Sequence, residues 1–174
     1  MKERITKGAC QKIKFPAKAF QSAQTGRITK GSIWKLKDSV GMCSDLITIK
    51  SGKKVDKKET TKSIKVNLER WMENPGFEKF RKNPMDLAIV VKMNEYRFRH
   101  QDVDNVVKIV LDALKKNNRS DSAFLFEDDS QVARLLVWKM KREEDFYYNT
   151  DQLIISFREH DSRKQMEMIK EDEK

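Results

Sequence analysis

The sequence predicts an α/β chain of the α+β kind, and three observations carry that expectation. Two segments repeat their apolar residues at helical spacing, a β-branched-rich run between them reads as a buried strand, and two more strand-like runs follow. In the first fifty residues, Gln11-Lys12-Ile13-Lys14-Phe15 alternates like a strand and stops at Pro16. Leu46-Ile47-Thr48-Ile49, within Gly41 to Lys50, is a second candidate. The stretch Ser51 to Lys58 has the composition of an exposed turn. From Thr61, the spacing of Ile64, Leu68, Trp71 and Met72 predicts a helix that Pro75-Gly76 ends or interrupts. Met85 to Met93 has the continuous apolar character of a well-buried strand, and Asn94 to Arg99 continues with strand-like alternation. Val103, Val106, Val107, Val110, Leu111 and Leu114 then return to helical spacing, with Asp102 or Asp104 as cap. Gln131 to Met140 and Gln152 to Phe157 read as two strands joined by a polar loop and forming an antiparallel pair. The charged tail from Glu159 is expected to be helical or frayed.

Charge narrows the class of partner. Across 174 residues, 37 Lys+Arg oppose 27 Asp+Glu, for a net charge of +10. The excess is N-terminal: residues 1–70 carry 18 basic and 6 acidic side chains, and the remainder is slightly acidic. A basic segment beside a near-neutral one favours a polyanion, because neutralising phosphates releases counterions. Nucleic acid is the leading candidate, and a solvated lysine-rich face is the plainer alternative. Lys12, Lys14, Lys18, Arg27 and Lys30 are the candidate phosphate contacts there. Phe20 and Trp34 among them would suit unstacked bases, although Trp34 also reads as a core residue. No apolar run approaches the roughly 20 residues of a membrane-spanning helix. The charged N-terminus is unlike a signal peptide, so a cytoplasmic location is expected. Two cysteines, Cys10 and Cys43, supply neither a disulfide framework nor a zinc site.

The chemistry-bearing segment is Asp102-Val103-Asp104-Asn105-Val106-Val107-Lys108, followed by Glu127-Asp128-Asp129. An otherwise basic chain concentrates carboxylates where a strand gives way to a helix. Two carboxylates one residue apart can face one cavity, and a third from a loop would complete an oxygen-lined site suited to Mg2+ and phosphodiester chemistry. Lys108 falls one helical turn after Asp104, where an ammonium could stabilise a phosphate. The spacing is equally compatible with a helix cap at Asp102 and an ordinary i,i+4 ion pair between Asp104 and Lys108.

The longer arrangement is more specific. Asp102-x-Asp104-Asn105-x-x-Lys108, then Leu111-Asp112-Ala113-Leu114, then Asp128-Asp129-Ser130-Gln131-Val132 closely resembles the RusA family of Holliday junction resolvases, over roughly Met85 to Phe157. The resemblance implies a small mixed sheet packed with two main helices, a homodimer, and Mg2+-dependent cutting of four-way DNA junctions in recombination and repair, with Mn2+ as a substitute. It implies that Asp102, Asp104 and Asp129 are metal-binding carboxylates and Lys108 the catalytic lysine. Asn105, Asp128 and Gln131 match the motif as supporting residues. Arg97, Arg99 and His100 resemble the family's basic run and are expected to face phosphates. The expected organisation is one nuclease domain over 1–158, with a basic extended region to about residue 60 and a charged tail over 159–174. The family's N-terminal opening has no clear counterpart here, and Asn117 to Phe126 is a polar, extended link, so Asp129 is placed by motif rather than by spacing. A non-catalytic branched-DNA binder and a flap- or fork-selective nuclease are the alternatives. With His100 and His160 the only histidines and no Gly-rich phosphate loop, a triad hydrolase or an NTPase has little support.

Overall fold

The computed structural model describes residues 33–48, 54–74, 76–118, 121–142 and 151–171. In chain order these form β1 (Ile33–Leu36), β2 (Val40–Leu46), α1 (Lys57–Met72), α2 (Glu78–Lys82), β3 (Met85–Met93), α3 (Glu95–His100), α4 (Val103–Leu114), β4 (Val132–Lys141), β5 (Asp151–Glu159) and β6 (Met168–Glu171). A single 3-10 turn, Asp129–Gln131, precedes β4. The fold is mixed α+β, as the sequence predicts. The expected strand at Gln11–Phe15 lies outside the described residues.

Four strands make the main sheet in the order β2-β5-β3-β4. β5 runs antiparallel to both β2 and β3, whereas β3 and β4 are parallel. The sequence expectation that β4 and β5 pair with each other is therefore corrected: β3 lies between them. Its apolar run explains the position, since an inner strand covered on both faces needs no polar alternation, and eight of its nine residues are buried.

On one face of the sheet lie α1 and α4. The α1 helix buries Thr60, Ser63, Ile64, Asn67, Leu68 and Trp71, and Ser63 meets Ser44 of β2 through a 2.9 Å hydroxyl pair. It starts at Lys57, several residues ahead of the apolar period, because Asp56 caps it by accepting from Glu59 N at 3.1 Å. Its first two residues, Lys57 and Lys58, are exposed, which is why this sequence resembled an exposed turn. β2 itself covers Val40–Leu46, earlier than the expected Leu46–Ile49 run. The opposite face carries the small β1/β6 sheet. Gly41, Ser156 and Ala88 lie side by side across β2, β5 and β3, and this row of small residues lets β1 approach closely. Leu36 is fully buried there, its N–H donating to Ser156 Oγ at 3.0 Å. Trp34 of β1 packs edge-to-face on Trp138 of β4, with centroids 5.1 Å apart, which fits the core reading of this residue.

Two further expectations change. Asn94 to Arg99 is helix α3 and its cap, not a strand. Asn94 Oδ1 accepts from Arg97 N at 2.9 Å, and the fully buried Asp151 at the start of β5 accepts from Asn94 N at 2.9 Å and pairs with Arg97 Nε. That carboxylate, more than fifty residues away in sequence, holds the chain in a turn where local alternation suggested extension. Over its described residues, up to Glu171, the segment from Glu159 is neither helical nor frayed. It turns at 161–163 and forms β6, which pairs antiparallel with β1 from Leu36↔Met168 to Ile33↔Glu171. None of the described helices is long and apolar enough to cross a membrane.

Candidate active site

The β3-to-β4 crossover positions every described motif residue. Past the C-terminal end of β3 the chain makes α3, then returns along the sheet as α4 to the starting end of the parallel pair, where β4 begins opposite Met85. Asp102 is the N-cap of α4, its Oδ1 accepting from Asp104 N at 3.2 Å. Asp104, in the first turn, is exposed, as are Asn105 and Lys108. The i,i+4 ion pair between Asp104 and Lys108 does not form among the described residues. Asp102 thus caps the helix and still presents a second carboxylate oxygen, and Asp104 and Lys108 remain available to a ligand. Helix burial of Val106, Ile109, Val110, Ala113 and Leu114 fixes which face turns outward. Lys139 Nζ of β4 donates to Gln101 O at 2.8 Å and ties down the residue just before Asp102.

At the other end of α4, Glu127, Asp128 and Asp129 form an exposed acidic turn. Asp128 Oδ1 accepts from Ser130 N at 3.0 Å, and this bond holds its carboxyl below the usual range. Gln131 shapes the turn: Oε1 accepts from Glu127 N at 2.7 Å and Asp128 N at 3.2 Å, while Nε2 donates to Arg81 O at 2.8 Å. Lys115 lies 3.1 Å from Asp129 and 3.7 Å from Asp128, and the hydrogen bond to Asp129 raises its pKa. The link before the turn is more structural than its sequence suggests. Ala123, Phe124, Leu125 and Phe126 are buried, and Lys116 N and Leu125 N bond to Phe126 O and Leu114 O at 3.0 and 2.7 Å.

The chain therefore brings Asp102, Asp104 and Lys108 together and sets Asp129 apart. Asp102 opens α4, and Asp129 is clamped by the residue that closes it. A twelve-residue helix separates its ends by about 18 Å. Among the described residues, no three His, Cys, Asp or Glu side chains converge on a metal-sized site. The Asp102/Asp104 pair nevertheless fits a hard dication, since Mg2+ takes one or two protein carboxylates and fills its shell with water and substrate phosphate.

The basic candidates divide. Lys12, Lys14, Lys18, Arg27 and Lys30 lie outside the described residues. Arg97 is buried, and its guanidinium is held by Asp151, so it serves the fold at this end of the sheet. Arg99 is exposed and pairs with Glu95 at 2.7 Å. His100 is exposed beside it. Cys43 is buried and reduced, and Cys10 lies outside the described residues.

Sequence reasoning missed a second carboxylate centre, at Asp86. It is fully buried and takes Arg134 Nε at 2.8 Å, Arg158 Nε at 3.0 Å and His160 Nδ1 at 2.7 Å. Burial pushes its pKa up, but the bonds from Arg134, His160 and Arg158 outweigh it and bring the carboxyl down to about 2. The signal was a lone acid inside an apolar strand; its partners became visible only with the register, which sets Asp86 opposite both Arg134 and Arg158.

The model of the endodeoxyribonuclease RusA family matches residues 44–155, from within β2 to within β5. The chain belongs to the RusA endodeoxyribonuclease family. The match spans more than half of the sequence and includes the whole β3-to-β4 crossover, so α4 and the acidic turn both fall within the RusA region. No curated protein matches the chain. Membership makes DNA phosphodiester hydrolysis the chemistry of this RusA chain.

Proposed function

We propose that the protein is a divalent-cation-dependent, structure-specific endodeoxyribonuclease that resolves four-way DNA junctions by paired, symmetric nicks. The observation that carries this reading is the exposed pair Asp102 and Asp104 at the opening of α4, with Lys108 one turn along, in a chain of the RusA family. Asp102 and Asp104 hold Mg2+, or Mn2+ in its place, together with Asp129. The bound cation supplies charge stabilisation at the scissile phosphate and acidifies the attacking water. Lys108 neutralises charge on the phosphate as it is attacked. The α4 N-terminus adds favourable backbone dipoles toward that anion. Basic residues of the first 60 positions supply sequence-independent affinity for the junction arms.

The working unit in this proposal is a homodimer, and the separation of the carboxylates gives it a role. β4 is an edge of the main sheet, ten residues long, with Leu135 and Trp138 42% and 39% exposed along it. A long apolar edge of this kind is ordinarily covered. Two β4 edges meeting antiparallel across a two-fold axis set the start of one strand beside the end of the other. Asp129 precedes the start, and the Asp102/Asp104 end of the sheet adjoins the finish. Each site would then draw Asp102, Asp104 and Lys108 from one copy and Asp129 from the other, and two such sites match the two opposing strands of a junction. A monomer cutting single strands at unrelated positions would favour the flap- or fork-selective nuclease alternative.

The test mixes two inactive variants, Asp104→Asn and Asp129→Asn, after co-refolding. Shared sites leave one intact site in each mixed dimer, so cutting of a four-way junction with Mg2+ returns to about one quarter of the wild-type number of sites. Sites built within one chain stay dead in every combination. Complete inactivity of the wild type on four-way junctions, with binding intact, would overturn the nuclease reading itself.

A further inference from the structure

Six and two residues ahead of Asp102, Tyr96 and His100 form a pair of rings that the proposed chemistry does not use. Tyr96 is 49% exposed, the most exposed large hydrophobic side chain among the described residues. Its ring stacks on that of His100, one turn along α3, with centroids 4.5 Å apart and planes 26° from parallel. The stack is fixed from behind: His100 Nδ1–H donates to Tyr96 O at 2.8 Å. α3 is anchored in turn by the buried Arg97–Asp151 pair. Each ring covers one face of the other, and the outer face of the pair is left to solvent. The surroundings suit a nucleic acid strand: Arg99 and Lys108 are exposed on the same stretch. Lys141 lies against Glu95 in the first turn of α3. His100 and Asp102 are two residues apart, so their Cα atoms lie within about 7 Å, close to one nucleotide step.

We infer that the Tyr96–His100 stack is a nucleobase platform, taking an unstacked base of the nucleotide next to the scissile phosphate at the opening of α4. This rests on the nuclease reading and extends it to substrate choice. A base at a branch point is already partly unstacked, whereas a duplex must spend unpairing and unstacking energy to present one. The platform therefore rewards branched DNA and gives nothing to an intact duplex, while the phosphate contacts serve both alike. Arg and Lys alone cannot make that distinction.

The test measures binding without divalent metal, by anisotropy, of a four-way junction and of a duplex with the same arm sequences. Tyr96→Ala is expected to lose roughly 5- to 150-fold in junction affinity, the range for removing one base–aromatic stack. Duplex affinity should stay within about twofold, because the phosphate term is untouched. Tyr96→Trp should keep the preference. A scan of single abasic sites around the branch point should find one position where losing the base weakens the wild type and leaves Tyr96→Ala unaffected. Equal losses on junction and duplex, no loss at all, or an abasic scan with no such coupling would overturn the platform. The readout uses no cleavage, so a protein that shows this coupling and fails to cut with Mg2+ or Mn2+ would sink the nuclease reading and leave the platform standing.

Discussion

Replacing Asp86 with Asn tests how the sheet tolerates two guanidiniums and an imidazole around one carboxylate. In the native protein the carboxyl is fully buried, and its pKa is about 2 against an ordinary 3.8. A folded-state value below the unfolded one means stabilisation that is complete above the unfolded pKa and lost as pH falls toward the folded one. The difference corresponds to about 2 kcal/mol at neutral pH. Asn removes that contribution and also leaves Arg158, whose side chain is 5% exposed, without its counter-charge, so the full cost should approach the roughly 3–5 kcal/mol of a broken buried pair. For a chain of this size that lowers Tm by roughly 6–20 °C. The assay is urea unfolding of wild type and Asp86→Asn at several pH values. The gap between the two should be constant above about pH 5 and should shrink below pH 4, with about half of the ionisation contribution gone by pH 3. A gap under 1 kcal/mol at pH 7, or one that does not narrow on acidification, would refute the account of Asp86 as an ionised hub.

Three other outcomes are expected. Asp102→Asn and Asp104→Asn should each abolish junction cutting with binding retained, since each removes a ligand charge and leaves the basic surface intact, and Lys108→Ala should cost about 10²–10³ in rate with cation affinity retained; gel cleavage and shift assays on the same junction separate the two effects. Junction affinity should fall with salt at a log–log slope of about −0.9 per phosphate contact, and charge removal at Lys12, Lys14, Lys18, Arg27 and Lys30 should flatten it; an unchanged slope would assign these residues to a solvated face.

Local pattern was enough wherever the structure obeys a local rule. The apolar period of α1 and α4, the unbroken run of β3, and the acidic opening of α4 were all legible in the sequence, because helical spacing, burial on two faces and N-capping involve neighbours a few residues apart. The RusA motif was legible for the same reason, being three short runs inside one crossover. Arg97 shows the limit of that reasoning. Among Tyr96, Phe98 and Arg99 it resembled one more polar position of a strand, but a buried carboxylate from β5 turned it inward and made the segment a helix. The same limit hid β6, whose only reason to be a strand is β1, more than 130 residues earlier, and it hid Asp86, whose partners are set by register. The wrongly expected β4–β5 pair shows that strand neighbours depend on which strand fills the middle of the sheet, and no window of sequence records this.

For the site, the sequence by itself determined which residue types are present and that Asp102, Asp104 and Lys108 share one helical opening. Only the tertiary structure decided that Asp129 stands at the far end of that helix, held by Lys115. The physical reason is that a parallel β3–β4 pair must be joined by a crossover that returns along the sheet. A motif written across such a crossover is continuous in sequence and has its two halves at opposite ends of the same sheet.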